Sequence, residues 1–307
     1  MGLLSRWRGP QPVSGVRWRS LRPQDREAII ELAGLSVAAD GATQATYAPE
    51  FYLGMFGAQS VGGFAGEQLV AAAALPTRLE PTIEGHVHPS YRGRGLGGAV
   101  LDWALARVPA DAVVKAPALT AEKQRLFESR GLHLTAALDR MWRPLGEPVE
   151  IAPPPPGVSI AAWDDADGFG VYAESFADRP DSPFAPSERP GRSFEDWMRW
   201  TGDMELDESL SLLARDEEGA AVGFVTCWTG GPVQAGTVPA WRRRGLGIAL
   251  LSAAMAAVAA RPDYEEAAEI SVNADNVAAV RLFRRCGFHP DSREAYFTAR
   301  PETQRRR

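Results

Sequence analysis

The chain has almost no lysine or cysteine, no long apolar run and no excess of positive charge. Only Lys115 and Lys123 among its 33 lysine-plus-arginine residues are lysines, so the positive charge is nearly all arginine. With abundant alanine, that bias points to a GC-rich genome more than to a mechanism. The 39 acidic residues leave a formal charge of −6, the wrong sign for a general binder of nucleic acid or anionic membranes. A polyanionic ligand must therefore meet a local cationic patch. Two cysteines, Cys227 and Cys286, exclude a disulfide framework and have no metal-ligand spacing, so a reducing cytoplasm and no metal are expected. The most apolar stretch, Gly247 to Ala260, is too short to span a bilayer and contains Ser252. Met1 to Pro10 has no apolar core after Arg6 and Arg8, and Arg6 spoils a myristoylation pattern. A soluble cytoplasmic chain is expected, with no nucleic-acid or membrane partner.

What is present is a repeat. At 307 residues and 45% hydrophobic content, the chain has material for about two cores. His88-Pro89-Ser90-Tyr91-Arg92-Gly93-Arg94-Gly95-Leu96-Gly97 has a partner in Val238-Pro239-Ala240-Trp241-Arg242-Arg243-Arg244-Gly245-Leu246-Gly247, and each is followed by a helical pattern. Downstream, Leu126-Phe127 is repeated at Leu282-Phe283. Pro153 to Pro156 form a stiff spacer, which predicts domains over 14–146 and 158–301 joined by a linker over 147–157.

The periodicities predict the same order of elements twice, a mixed α/β class in which each domain is a mostly antiparallel mixed sheet flanked by helices. In the first half, strands are expected at 16–21, 60–66, 69–78, 82–88 and 112–115, with helices at 24–38, 49–56, 98–108 and 121–129 and a terminal strand pair within 132–143. The second half is expected to place strands at 158–162, 209–215, 220–228, 233–238, 270–272 and 296–298. Its helices are expected at 165–177, 194–200, 247–259 and 276–285.

Each R-x-x-G-x-G stands between a strand and a helix. Gly95, Gly97, Gly245 and Gly247 let backbone amides approach an anion, and the helix N-terminus adds free N–H groups and partial positive charge. A pyrophosphate is the natural guest. Neither the dinucleotide fingerprint nor the Walker loop fits, since Arg92 and Arg242 replace the first glycine and no Gly-Lys-Ser/Thr follows. Asn276 opens a short helix that ends at Gly287.

On these loops and on Asn276-x-x-Ala279-x-x-Leu282-Phe283-x-x-x-Gly287-Phe288, the sequence resembles the GCN5-related N-acetyltransferase (GNAT) superfamily in its tandem form, over nearly the whole chain. Phe176 to Asp181 and Ala274 to Val280 are similar to the mycothiol synthase pattern within it. The resemblance implies acetyl-CoA as cofactor and a small-molecule amine as acceptor, in a monomer or homodimer. It implies cofactor contacts at His88, Arg92, Gly93, Arg94, Gly95, Leu96 and Gly97, and at Thr237, Val238, Arg242, Arg243, Arg244, Gly245, Leu246, Gly247 and Asn276. A backbone N–H near His88 or Val238 would polarise the thioester carbonyl.

Amide formation needs a neutral amine, yet an alkylammonium with pKa ~10 is neutral in only about one molecule in a thousand at pH 7. A carboxylate or histidine should serve as base. Glu84 and Asp181 are the catalytic candidates; Glu174 and Trp197 are the acceptor-side candidates. Phe127 and Phe283 stand where the family often has a tyrosine acid, and the second half offers Gln234 on the strand that carries Glu84 in the first. The chemistry is expected in the C-terminal domain, by direct attack in a ternary complex. The alternatives are mycothiol synthase proper and a CoA-binding pseudoenzyme.

Overall fold

The computed structural model describes residues 9–42, 59–76, 82–176, 193–203, 206–228, 231–261 and 267–299. The helix expected at 49–56 and the candidate Asp181 lie outside them. The chain forms two compact units, one of the described residues up to Ala137 together with those from Asp291 onward, the other of Leu138–Pro290.

In the first unit, β1 (Arg17–Ser20), β2 (Ser60–Ala65), β3 (Gln68–Ala74) and β4 (Thr82–Val87) form an antiparallel meander. The parallel strand β5 (Val113–Ala116) follows β4, and beyond it lie the C-terminal strand β12 (His289–Thr298) and the start of β6 (His133–Pro144). Helix α1 (Arg26–Ala39) covers one face through Ile29, Leu32 and Ala33, packed on Phe64, Leu69, Ala72 and Ala74. Asp25 anchors its start: the carboxylate accepts from Arg22 N–H at 2.8 Å and takes a two-pronged ion pair from Arg19. Helix α2 (Leu96–Leu105) covers the other face with Leu96, Val100 and Leu101, and α3 (Ala121–Glu128) follows β5.

The second unit repeats the order. It contains β7 (Ser159–Ala162), α4 (Asp165–Phe176), α5 (Phe194–Asp203), β8 (Leu212–Arg215), β9 (Ala221–Trp228), β10 (Gly231–Thr237), α6 (Leu246–Ala259), β11 (Ala267–Asn273) and α7 (Val277–Arg285). The first four strands make an antiparallel sheet in the order β10-β9-β8-β7, while β11 pairs with residues 138–144 of β6. Helix α6 buries Leu246, Leu250, Leu251, Met255 and Val258, as its uniform apolarity requires.

The expected terminal strand pair within 132–143 is one continuous strand, β6. Its partner in the first unit is β12, to which Thr135 Oγ1 donates at the Tyr296 carbonyl, 3.0 Å. Strand β12 is correspondingly longer than the three residues expected. Both short helices end alike: Leu132 N–H bonds Phe127 O across Gly131 (φ 72°), and Phe288 N–H bonds Phe283 O across Gly287 (φ 82°).

Candidate functional site

The two glycine loops fold alike. Gly95 (φ 84°) and Gly245 (φ 92°) are left-handed residues at the helix N-caps, and among the described residues nothing beyond the adjoining chain lies within 4 Å of where a Cβ would stand. The first helical bonds are Ala99 N–H to Gly95 O and Ala249 N–H to Gly245 O, so the amides of 96–98 and 246–248 precede the ladder and face outward for an anion. Gly97 and Gly247 carry a different constraint: a Cβ there would meet Leu126 at 3.3 Å and Leu282 at 3.2 Å. The repeated leucine packs over the repeated glycine.

The loop arginines divide by position. Arg92 turns back into its unit, pairing with Asp40 at 2.7 Å and donating to Ser36 O at 3.0 Å, and Arg242 likewise donates to Ser175 O at 2.9 Å and Thr237 O at 3.2 Å. These two side chains tie the loop to the end of the first helix instead of facing an anion. Arg94 lies over Tyr91 and Arg244 over Trp241, 4.7 and 4.9 Å from the ring centres. Arg243 is exposed on the loop, as are Gly93 and Arg94 of the first copy.

Strand β4 separates from β5 after Ile83, which is the last residue paired with it, at Val114. The His88 amide donates to Val70 O at 2.9 Å and the Val238 amide to Val222 O at 3.1 Å, both towards the meander. Strand alternation therefore turns the amides of Val87 and Thr237, one residue earlier, towards the open edge. An amide so turned has its N–H available to an acceptor at that edge.

A cavity of about 520 Å³ occupies the separation in the first unit. Ile83, Val100, Leu101 and Phe127 form apolar walls, the glycine loop stands at one side, and Glu84, Asp40, Lys115 and Lys123 supply charge. Glu84 is fully buried, 2.9 Å from His86 Nε2, and its Oε2 has no hydrogen-bond partner among the described residues. His88 points elsewhere, with Nδ1 accepting from Ser90 N–H at 3.2 Å. Lys123 Nζ sits 2.6 Å from Asp40 Oδ2, and burial holds its ammonium below the usual lysine range although Asp40 opposes the shift.

In the second unit Gln234 stands 150 positions after Glu84 and pairs across the strands with Thr226. Gln234 Oε1 and Thr226 Oγ1 are buried with no hydrogen-bond partner among the described residues, as is Ser175 Oγ on α4. Such oxygens are costly to leave bare and retain the capacity to accept a hydrogen bond. Asn276 Oδ1 caps α7 by accepting from Ala279 N–H at 3.2 Å, and Thr120 caps α3 in the same way through Lys123 N–H. Trp197 is wholly buried in an aromatic cluster with Trp163, Phe169 and Tyr172, so it packs core instead of lining an open site. Glu174 is exposed on α4 beside the inward Ser175.

Residues 172–288 match the Acetyltransferase (GNAT) family model. The mycothiol acetyltransferase of Thermobispora bispora is 32% identical over 298 residues, covering 87% of this chain and 93% of that protein. The chain belongs to the GNAT acetyltransferase family. The mycothiol acetyltransferase of Mycobacterium avium is 28% identical over 94% of this chain and 99% of its own. Among solved structures, a GCN5-related N-acetyltransferase from Sphaerobacter thermophilus superposes on this acetyltransferase with TM-score 0.72 at 25% identity, over 94% of this chain and 97% of the other. A tandem GNAT protein from the clavulanic acid biosynthesis pathway shares the fold, with TM-score 0.57 at 19% identity over 94% and 99%.

The acetyltransferase fold also brings in groups that the motifs did not announce. Ser36 arrives from α1 and Asp40 from the cap at its end, Ser175 from α4 and Thr226 from β9, none of them near a glycine loop in sequence. The scarcity of lysine was the one signal that could have singled out Lys115 and Lys123.

Proposed function

We propose that the chain is an acetyl-CoA-dependent N-acetyltransferase acting on the amine of a small molecule by direct attack, with the C-terminal unit catalytic. The observation that carries the donor is the duplicated glycine loop, whose left-handed caps and outward amides fit a pyrophosphate beside an open strand edge. Gly93 to Gly97 and Arg243 to Gly247 would hold the phosphates, and Thr237 N–H would polarise the thioester carbonyl. Acetyl-CoA supplies the acyl group and a sulfur leaving group that needs little acid help, its parent pKa being ~8.5.

Placement in the C-terminal unit is supported by the family match over 172–288 and by the bare oxygens of Gln234 and Thr226. These oxygens accept N–H bonds from an amine and orient it but do not keep a proton, so a base from elsewhere is needed. Asp181 remains the proposed catalytic carboxylate there, and Glu84 the proposed base of the first unit. The relatives named mycothiol acetyltransferase favour a narrower form, in which the acceptor is the one their name implies. The free state of Cys227 and Cys286 suits a reducing cytoplasm.

The test is to follow thiol release from acetyl-CoA over a panel of small amines. Turnover lost in Gly245→Asp and kept in Gly95→Asp supports the placement. The reverse pattern moves the chemistry to the first unit, and tight CoA binding without turnover on any amine leaves only a binding protein.

A further inference from the structure

The chain's only two lysines, 115 and 123, line the same cavity of the first unit. Everywhere else this sequence uses arginine where it needs a long cation. Arginine stays protonated in proteins, whereas a buried lysine can surrender a proton and become a nucleophile. The two lysines differ in surroundings: Lys115 Nζ is drawn to Glu294 at 3.7 Å, and Tyr296 donates to that same carboxylate. Lys123 projects from α3 with its side chain only 19% exposed, held by Asp40 and by Ala118 O at 2.8 Å. In the second copy the corresponding residue, three before the repeated leucine, is Ala279. Packing of the repeat therefore does not require an amine at this position.

We propose that Lys123 is an acyl acceptor, acetylated within its own unit by the thioester that the cavity admits. This rests on the reading of acetyl-CoA as donor. The charged groups around Nζ come from three elements: Asp40 after α1, Arg92 from the loop and Glu84 from β4. Burial and Arg92 both ease proton loss, and Asp40 is within reach to take the proton. The neutral Nζ attacks the thioester carbon, a C–N bond forms and the C–S bond breaks. Of the ammonium's two departing protons, one passes through Asp40 to solvent and the other ends on the CoA sulfur. The product is a neutral amide that no longer pairs with Asp40, which keeps Arg92.

Full-length protein incubated with acetyl-CoA and then mapped by tryptic mass spectrometry tests this, with acetyl-CoA binding measured by calorimetry on the same samples. Apart from the N-terminal amine, Lys115 and Lys123 are the only primary amines, so the site is assigned without ambiguity. The expected result is one acetyl group on Lys123, with cleavage after Lys123 blocked. It should be absent in Lys123→Arg and in Lys123→Gln, and reduced at least tenfold in Gly95→Asp. Binding of acetyl-CoA with Lys123 unmodified overturns the proposal and leaves the donor reading intact. Lack of binding overturns both. Equal labelling of the folded chain, the urea-unfolded chain and Gly95→Asp marks the reaction as uncatalysed and also overturns the proposal.

Discussion

Gly93 and Arg243 occupy the same left-handed position in two copies of one loop, with φ 75° and 62°. A non-glycine residue there costs about 1–2 kcal/mol, and retained strain of this kind concentrates at ligand-binding turns. Arg243→Gly is expected to raise the stability of the second unit by up to ~1 kcal/mol, part of the relief being offset by glycine's entropy. The same change should weaken acetyl-CoA binding several-fold through loss of a charge facing the phosphates. Urea denaturation and calorimetry read the two effects separately; a variant that loses stability refutes the strain assignment.

Arg242 behaves differently because its guanidinium is committed to Ser175 O and Thr237 O. Arg242→Lys removes the forked geometry and should cost about 1–2 kcal/mol of stability. Its effect on CoA should be a looser loop with the wild-type dependence on salt, whereas Arg243→Ala should flatten that dependence. Titrations at two ionic strengths distinguish them.

Burial pushes the Cys227 thiol up to about 12, with the Asp207 charge adding to it, and the Cys286 thiol up to about 11 against the pull of Arg143 and Arg285. At pH 8 only about one Cys286 in a thousand is thiolate, so an aromatic disulfide reagent should react slowly and about tenfold faster per pH unit. Both thiols should react at once in urea. Because the folded state favours the protonated thiol, stability should begin to fall as pH rises past ~8.5, the unfolded value, and continue to fall up to about 11. Rapid titration of either thiol in the native protein at pH 8 would contradict this.

Phe297 stands ten residues from the end of the chain yet is fully buried in the first unit, edge-on to Phe127 with ring centres 5.0 Å apart. Phe297→Ala should cost about 3–5 kcal/mol. Hydrogen exchange should show the loss across β2, β3 and α2, with α6 of the second unit still protected. Loss confined to α6 would show that β12 serves the other unit.

Much of the site was legible because its signals are local. Gly95 and Gly245 mark flexible loop positions, Asn276 marks a helix start, and the repeat exposes the pair of loops. Each depends on a few neighbouring φ angles or on one side chain bonding its own backbone. The roles of the arginines were not legible. Arg92 and Arg242 carry the same charge as Arg243, and only the positions of Ser36, Asp40 and Ser175 decide that they face inward. Trp197 has the helical spacing of a lid and of a core stripe alike; the presence of Trp163 and Tyr172 around it makes it core.

The sequence by itself determined that there are two copies of one strand–loop–helix unit and that any polyanionic ligand must be met by a local cationic patch, since periodicity, glycine spacing and charge count are properties of the chain. Tertiary structure decided which strand completes which unit, because a strand's hydrogen bonds are satisfied by whatever edge meets it, however distant in sequence. It also decided that Glu84 and Gln234 face chemically different surroundings, and that two scattered lysines share one cavity. Burial and the neighbours across a cavity set how readily a group gives up its proton, and neither is written along the chain.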